Sequence, residues 1–302
     1  MKMLGKCLAA FAVGTLLLAG PAAAQDKVQD KVRVVATFSI LADLAKSVGG
    51  DAVEVTSLVA PNGDAHAYAP SPADAKRLAD ARLILVNGLG FEGWIERLVK
   101  ASGSKAPVIT ATKGIKPRQM KDDDGHDHTD PHAWQSVANA KIYVANIRDA
   151  LVNVDPARKA AYEANAASYL ARLDALDQEI KTTIAAIPAA RRKIITTHDA
   201  FGYFAAAYGL QMIAPQGVST EAEVSARDVA KIIRQIKQQK IPAVFIENIT
   251  DHRLLDQIAR ETGAKIGGAL YSDALSEADG PAPTYLDMFR HNAGAITAAL
   301  SS

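Results

Sequence analysis

The chain has 302 residues, 49% hydrophobic and 22% charged, with a formal net charge of +1. That length suits one large domain or two of medium size. The near-neutral balance, with no basic stripe, excludes a nucleic-acid partner, which needs cations against a phosphate backbone.

Residues 1–24 read differently from the rest. Lys2 and Lys6 give a positive start, Leu8 to Ala19 is an apolar run, and Ala22-Ala23-Ala24 precede Gln25. This is the pattern of a cleaved export signal. The apolar run is too short to cross about 30 Å of hydrocarbon. Cys7 is the only cysteine and follows no small-residue cleavage motif. The mature chain is therefore expected to begin at Gln25, without cysteine and without a lipid anchor, in the periplasm. Any metal in it is held by nitrogen and oxygen.

From Val32 onward, β-branched runs alternate with helical stretches. "VRVVATF" (32–38) precedes "SILADLAKSVG", and "VEVTSLVA" (53–60) leads through a polar loop to "SPADAKRLADA". There Ser71 is placed to cap, Pro72 suits the first helical position and Asp74 lies in the first turn. "ARLILVNG" (81–88) precedes "FEGWIERLVKAS", and "APVITAT" (106–112) precedes an acidic, histidine-bearing loop. Such alternation predicts a parallel sheet covered on both faces.

The alternation stops at Asp155-Pro156, a helix-start signal. Apolar residues then recur at Tyr162, Ala166, Tyr169, Leu173, Leu176, Ile180, Ile184 and Ile187, up to Pro188. A helix of some thirty residues is roughly 45 Å long, too long for an ordinary crossover. It reads as a spine at 155–188 between a first lobe at 25–154 and a second at 189–302.

Alternation resumes with "RKIITTH" (192–198), "LQMIAP" (210–215), "IPAVFIEN" (241–248) and "AKIGGALYSD" (264–273), each followed by a helix or a polar loop. A terminal helix, "TYLDMFRHNAGAITAAL", closes the chain.

Four metal-binding side chains stand past strand ends. His66 and His132 follow the second and fourth strands; His198 follows "KIITT"; Asp273 closes "KIGGALYSD". Ligands of open α/β sheets bind outside the carboxyl ends of the strands. Two of these residues belong to each lobe, so they converge if the lobes face one another across a cleft. A lone histidine at a strand end is more often structural than a ligand, so their joint placement carries the reading. Three imidazoles and a carboxylate suit zinc and also accept manganese or iron(II).

The segments "GDAHAYAPSPADAKRLADARLILVNGLGFEGW", "DPHAW", "ITTHDAFGYFAAAYGL" and "LYSDALS" resemble the signature segments of the solute-binding proteins of ABC importers for zinc, manganese and iron. The resemblance covers nearly the whole mature chain. It implies two Rossmann-like α/β lobes with parallel sheets, joined by one long rigid helix, with the metal in the interlobe cleft. It implies His66, His132, His198 and Asp273 as ligands. Histidine at the third position favours the zinc type over manganese or iron(II). It further implies a high-affinity zinc receptor, monomeric, that delivers its ion to an ABC permease of the inner membrane, with a periplasmic metallochaperone as a further partner.

The stretch "KDDDGHDHTDPHAW" (121–134) holds two further histidines, His126 and His128, in an acidic segment. It resembles a shortened version of the histidine-rich loop of zinc-type members, and a role in capturing zinc stands beside the reading of a solvated loop. Asp199, Glu221 and Glu223 are candidates to orient an imidazole from behind, and so is Glu247. Asp130 reads as a turn residue, and Phe38 and Tyr68 as cleft walls. A zinc hydrolase is the competing class, but HExxH and GxSxG are both missing, and four protein ligands leave no open position for a reacting water. An adhesin-like surface protein is a third reading, disfavoured by the missing anchor cysteine.

Overall fold

Two four-stranded parallel sheets carry the fold of the computed structural model, which describes residues 30–121, 127–215, 217–221 and 224–301. The expected export signal at 1–24, together with His126 and Glu223, lies outside the described residues. The first sheet has the order β2-β1-β3-β4, from β1 (Val32–Ala36), β2 (Val53–Ser57), β3 (Leu83–Val86) and β4 (Val108–Thr110). The second has the order β10-β9-β7-β8, from β7 (Lys193–Ile195), β8 (Gln211–Ile213), β9 (Ala243–Glu247) and β10 (Lys265–Leu270). Every pairing within both sheets is parallel. The "LILV" of β3 is buried at all four positions, the signature of a strand covered on both faces.

Local chemistry sets the helix ends. The helix α1 (Ser39–Gly49) starts two residues after β1 has led into Thr37 and Phe38. Ser71 caps α2 (Pro72–Asp80) with a reciprocal box: its hydroxyl accepts from the Asp74 N–H while the Asp74 carboxylate accepts from the Ser71 N–H. This satisfies two orphan donors of the first turn. The third helix is shorter than "FEGWIERLVKAS" predicts. It is α3 (Ile95–Ser102), preceded by a turn in which Gly88, Leu89 and Gly90 all have positive φ, at 83°, 58° and 82°. A side chain at Gly88 would meet Thr110 at 2.5 Å, so only glycine lets the chain reverse there.

The acidic segment also differs from the loop expected of it. Its flanks pair as an antiparallel hairpin, β5 (Gln119–Lys121) with β6 (Asp127–Thr129). His128 therefore sits on a strand opposite Met120. Gln119 and Thr129 side chains bond across the base, a cross-strand link that composition alone does not reveal.

After the one-turn helix Ala133–Gln135 come α4 (Val137–Val154) and the spine, α5 (Lys159–Ala185). The spine has 27 residues, about 40 Å, and is shorter than expected at both ends. Asp155 does not cap it directly. Its carboxylate accepts from the Tyr162 hydroxyl at 2.7 Å and from Arg158, and Pro156–Arg158 form a 3₁₀ turn first. One stripe is buried: Tyr162, Ala166, Tyr169, Leu173, Leu176, Ile180 and Ile184. The spine packs on α1 and α4. It also meets α6 (Gly202–Tyr208) and α9 (Tyr285–Ser301). The helices α7 (Ala226–Gln239) and α8 (Arg253–Thr262) complete the second half. One apolar core runs from β1 through the spine into α9. A smaller cluster, including Ile195, Ile232, Val244 and Leu255, lies under α7 and α8.

Asp43, where α1 meets α9, accepts the Tyr285 N–H at 2.8 Å. Burial, with Asp287 adding to it and Lys46 and Arg172 opposing, pushes its carboxyl up to about 6. A carboxyl raised in the folded state favours folding below its unfolded value near 3.8 and loses that contribution as pH rises through about 6. Asp43→Asn keeps an acceptor for Tyr285. It is expected to melt higher than wild type at pH 8 by the equivalent of roughly 2 kcal/mol, allowing for partial exposure, with the gap closing near pH 4. Thermal melts of the metal-free protein across that range check it.

Candidate metal centre

The turn carrying His66 begins when β2 gives out at Ser57. Asp64 Oδ1 accepts the His66 N–H at 2.9 Å, and the Trp94 indole donates to the Ala65 carbonyl at 2.8 Å. The turn carrying His132 is built the same way: Asp130 Oδ1 accepts the His132 N–H at 3.0 Å. His198 follows β7, where Glu247 Oε1, at the end of β9, accepts its N–H at 2.8 Å. Asp273 follows β10, and the preceding Ser272 carbonyl accepts from both Trp134 Nε1 at 2.9 Å and Gln135 Nε2 at 2.7 Å. The helix-start region that carries His132 is thus tied directly to the loop that carries Asp273.

These four side chains meet. One ligand atom from each of His66, His132, His198 and Asp273 lies within 4.8 Å of all the others. His66 Nε2 is 3.2 Å from His132 Nε2. Asp273 Oδ2 is 3.3 Å from both His66 Nε2 and His198 Nε2, and its Oδ1 is 3.6 Å from His132 Nε2. His132, His198 and Asp273 are fully buried, and His66 is 6% exposed. His198 Nε2 and both Asp273 oxygens have no hydrogen-bond partner. Buried polar atoms rarely stay unpartnered. Donors that converge in this way fit a divalent cation, which satisfies all of them at once.

Carboxylates stand behind two of the rings. Asp130 Oδ1 is 2.9 Å from His132 Nδ1, and Glu247 Oε2 is 2.6 Å from His198 Nδ1. Such contacts aim Nε2 inward and raise the basicity of the ring. Burial alone disfavours charged imidazoles. Asp273 and Asp130 outweigh it at His132, whose pKa is pushed up to about 9. Glu247 and Asp273 do the same at His198. His66 has only Asp273 to oppose its burial, and its pKa is lowered. Asp273 itself is held well below the usual carboxylate range by His198 and His132, against its burial.

Aromatic rings line the first-lobe side. Phe91 meets the His66 ring at 4.7 Å and Trp134 at 4.7 Å, and Phe38 packs behind both. Phe91 is set by its neighbour Glu92, whose buried carboxylate turns back to accept from Thr37, the Asn87 N–H and the Gly88 N–H. Tyr68, expected as a cleft wall, has contacts on the first half of the chain. It donates to Asp74 and stacks near Trp94.

Among the residues expected behind the imidazoles, Glu247 is in place. Asp199 is partly buried and bonds through its N–H to the Gly217 carbonyl; burial and the Asp130 charge raise its carboxyl, and the charges of His132 and His198 reach it and oppose them. Glu221 is exposed and lines a cleft of about 280 Å³ with His66, Phe91, His128 and Val218. Asp130 was expected only as a turn residue. It does make the turn, and it also backs His132. The signal was present in the spacing: "DAH" and "DPH" put an aspartate two positions before each of two histidines. Asp130→Asn and Glu247→Gln are each expected to weaken metal affinity about 10- to 100-fold with the fold intact, as read by competition titration beside circular dichroism.

Comparison with known proteins follows the same lines. The profile of the family described as zinc-uptake complex component A, periplasmic, matches residues 34–299. The iron-binding protein YfeA of Yersinia pestis is 37% identical over 258 residues, 85% of this chain and 83% of its own. The manganese-binding lipoprotein MntA of Halalkalibacterium halodurans is 33% identical over 270 residues, 89% of both chains. Among solved structures, the periplasmic zinc-binding protein TroA of Treponema pallidum superposes with a TM-score of 0.85 at 32% identity. That match covers 90% of this chain and 99% of TroA.

Proposed function

This chain belongs to the zinc-uptake component A family, the metal-binding substrate-binding proteins of ABC transporters, and on that premise we propose that it captures zinc in the periplasm. A substrate-binding protein of this kind is a receptor, not an enzyme, and works with a membrane permease. We assign His66, His132, His198 and Asp273 as the four ligands. They release the ion to the permease unchanged.

The observation that carries zinc is the donor set and its spacing. Four contacts between donors, three of them shared between the two Asp273 oxygens, are 3.2–3.6 Å, and one atom from each residue lies within 4.8 Å of all the others. The edge of a tetrahedron with bonds of 2.0–2.1 Å is about 3.3 Å. Three imidazoles and one carboxylate leave about one positive charge on a divalent ion, a combination zinc accepts with only four ligands. The second reading is manganese or iron(II). Asp273 turns both oxygens toward the histidines, which permits the higher coordination those ions take, and MntA and YfeA are named for them.

His128 lines the same cleft as His66, which supports a part for the hairpin in capturing the ion. Delivery by a metallochaperone, action as a monomer and the division into lobes at 25–154 and 189–302 with a linking helix at 155–188 belong to the same proposal. The expectation that the chain lacks a lipid anchor has no support from its relatives, since MntA is named a lipoprotein.

Competition titration of metal-stripped residues 25–302 with zinc and manganese at pH 7 tests the reading. Nanomolar or tighter zinc with far weaker manganese is expected; comparable or stronger manganese moves the cargo to manganese or iron(II). Affinity is expected to fall as pH is lowered from 7 to 5, because protons and metal compete for the same nitrogens and His132 is pushed up to about 9. Deleting residues 122–129 is expected to slow zinc loading at limiting metal while leaving the final stoichiometry unchanged. Loading at the wild-type rate would remove the hairpin from the mechanism.

A further inference from the structure

The two D-x-H turns diverge at their second carboxylate contact. Both use Asp Oδ1 to hold the histidine N–H. In the His132 turn the same oxygen also backs the ring at Nδ1. In the His66 turn the aspartate reaches the other way: Asp64 Oδ2 accepts the hydroxyl of Thr220 at 2.5 Å, from 156 positions along the chain. Thr220 belongs to the second half of the protein, in the segment between β8 and α7. Its neighbours Val218, Ser219 and Glu221 line the cleft that leads to His66. A second bond reaches the same turn from the same side, Asn248 Nδ2 to Asn62 Oδ1 at 3.1 Å.

His66 is also the ligand nearest to water, at 6% exposure against 0% for the other three. Its imidazole faces the mouth of the cleft with Leu89, Gly90 and His128 around it. His132 and His198 are instead sealed inside and backed by carboxylates. The chain therefore holds two ligands by their rings and one by its backbone turn, and that turn is held from across the cleft.

We infer that His66 is the exchangeable ligand and that the Thr220–Asp64 hydrogen bond is the latch that sets how fast the metal leaves. Thr220 is a positioning residue: it touches no metal and acts through Asp64 and the His66 turn. When the bond is made, the turn keeps His66 Nε2 against Asp273 and His132. When it breaks, the turn is free to swing His66 outward along the cleft, and the ion leaves past it. The inference rests on His66 being a metal ligand.

The test is the release rate from zinc-loaded full-length mature protein into excess chromogenic chelator, for wild type, Thr220→Val and Thr220→Ser. Valine keeps the shape and removes the hydroxyl; serine restores it. Thr220→Val is expected to release zinc roughly tenfold faster, since losing a hydrogen bond to a carboxylate acts mainly on dissociation. It should still bind one zinc per chain and keep the circular dichroism spectrum of wild type. Thr220→Ser is expected to return the rate to wild type. Equal rates for wild type and Thr220→Val, or no rescue by serine, overturns the latch and leaves the four-ligand site standing. A wild-type protein that takes up no zinc or manganese overturns the site itself, and the latch with it.

Discussion

Buried negative charge is the constraint on which the rest of the molecule depends. Asp130, Glu247 and Asp273 are each fully buried. A buried carboxylate is tolerated only when something of opposite sign stands beside it. Arg118, 3.5 Å from Asp130, supplies part of that. The remainder falls to the imidazoles, which is why His132 and His198 hold protons more tightly than ordinary histidines. A divalent ion takes over from those protons. The centre is therefore a cation site by electrostatics before it is one by geometry.

Such a site needs walls that do not relax. If the carboxylates parted, the cost of burying them would be relieved by water and the affinity for a cation would go with it. The fold prevents this in three ways. His198 and Asp273 follow β7 and β10 closely, and the turns of His66 and His132 are pinned by Asp64 and Asp130. The spine, its stripe of Tyr162 to Ile184 sunk in one continuous core, leaves no soft hinge between the two sheets. Direct bonds then cross the middle: Trp134 and Gln135 to the Ser272 carbonyl, the Tyr285 hydroxyl to the Trp134 carbonyl, and the Leu275 N–H to Ser39 Oγ.

Much of this was legible in the residues. The strand-helix alternation, the apolar stripe of the spine and the capping signal at Ser71 are local patterns, and each corresponds to an element of the structure. The four histidine and aspartate positions could be placed at strand ends, but their meeting depends on how the sheets face each other, which no local pattern encodes. Three features were missed for physical reasons. The turn before α3 contains a run of positive φ that includes Leu89, a residue with no preference for it. The hairpin of β5 and β6 rests on short, polar strands with no alternation to read. Asp130 plays two parts, and its part in the turn hid its part at the ring.

The smaller apolar cluster under α7 and α8 has a consequence for how the molecule breathes. Ile232, Ile236, Leu255 and Ile258 pack only with near neighbours such as Ile195 and Val244, apart from the main core. A region with its own small core opens on its own, at a lower free energy than the whole protein. Amides of α7 and α8 therefore exchange with solvent ahead of those in the spine. The strand β9 lies beneath them and ends at Glu247, the carboxylate behind His198. Ala243 and Phe245 hold the opposite face of that strand in the main core, the face that Glu247 shares by strand alternation, so the helices can open while the carboxylate behind His198 stays in place.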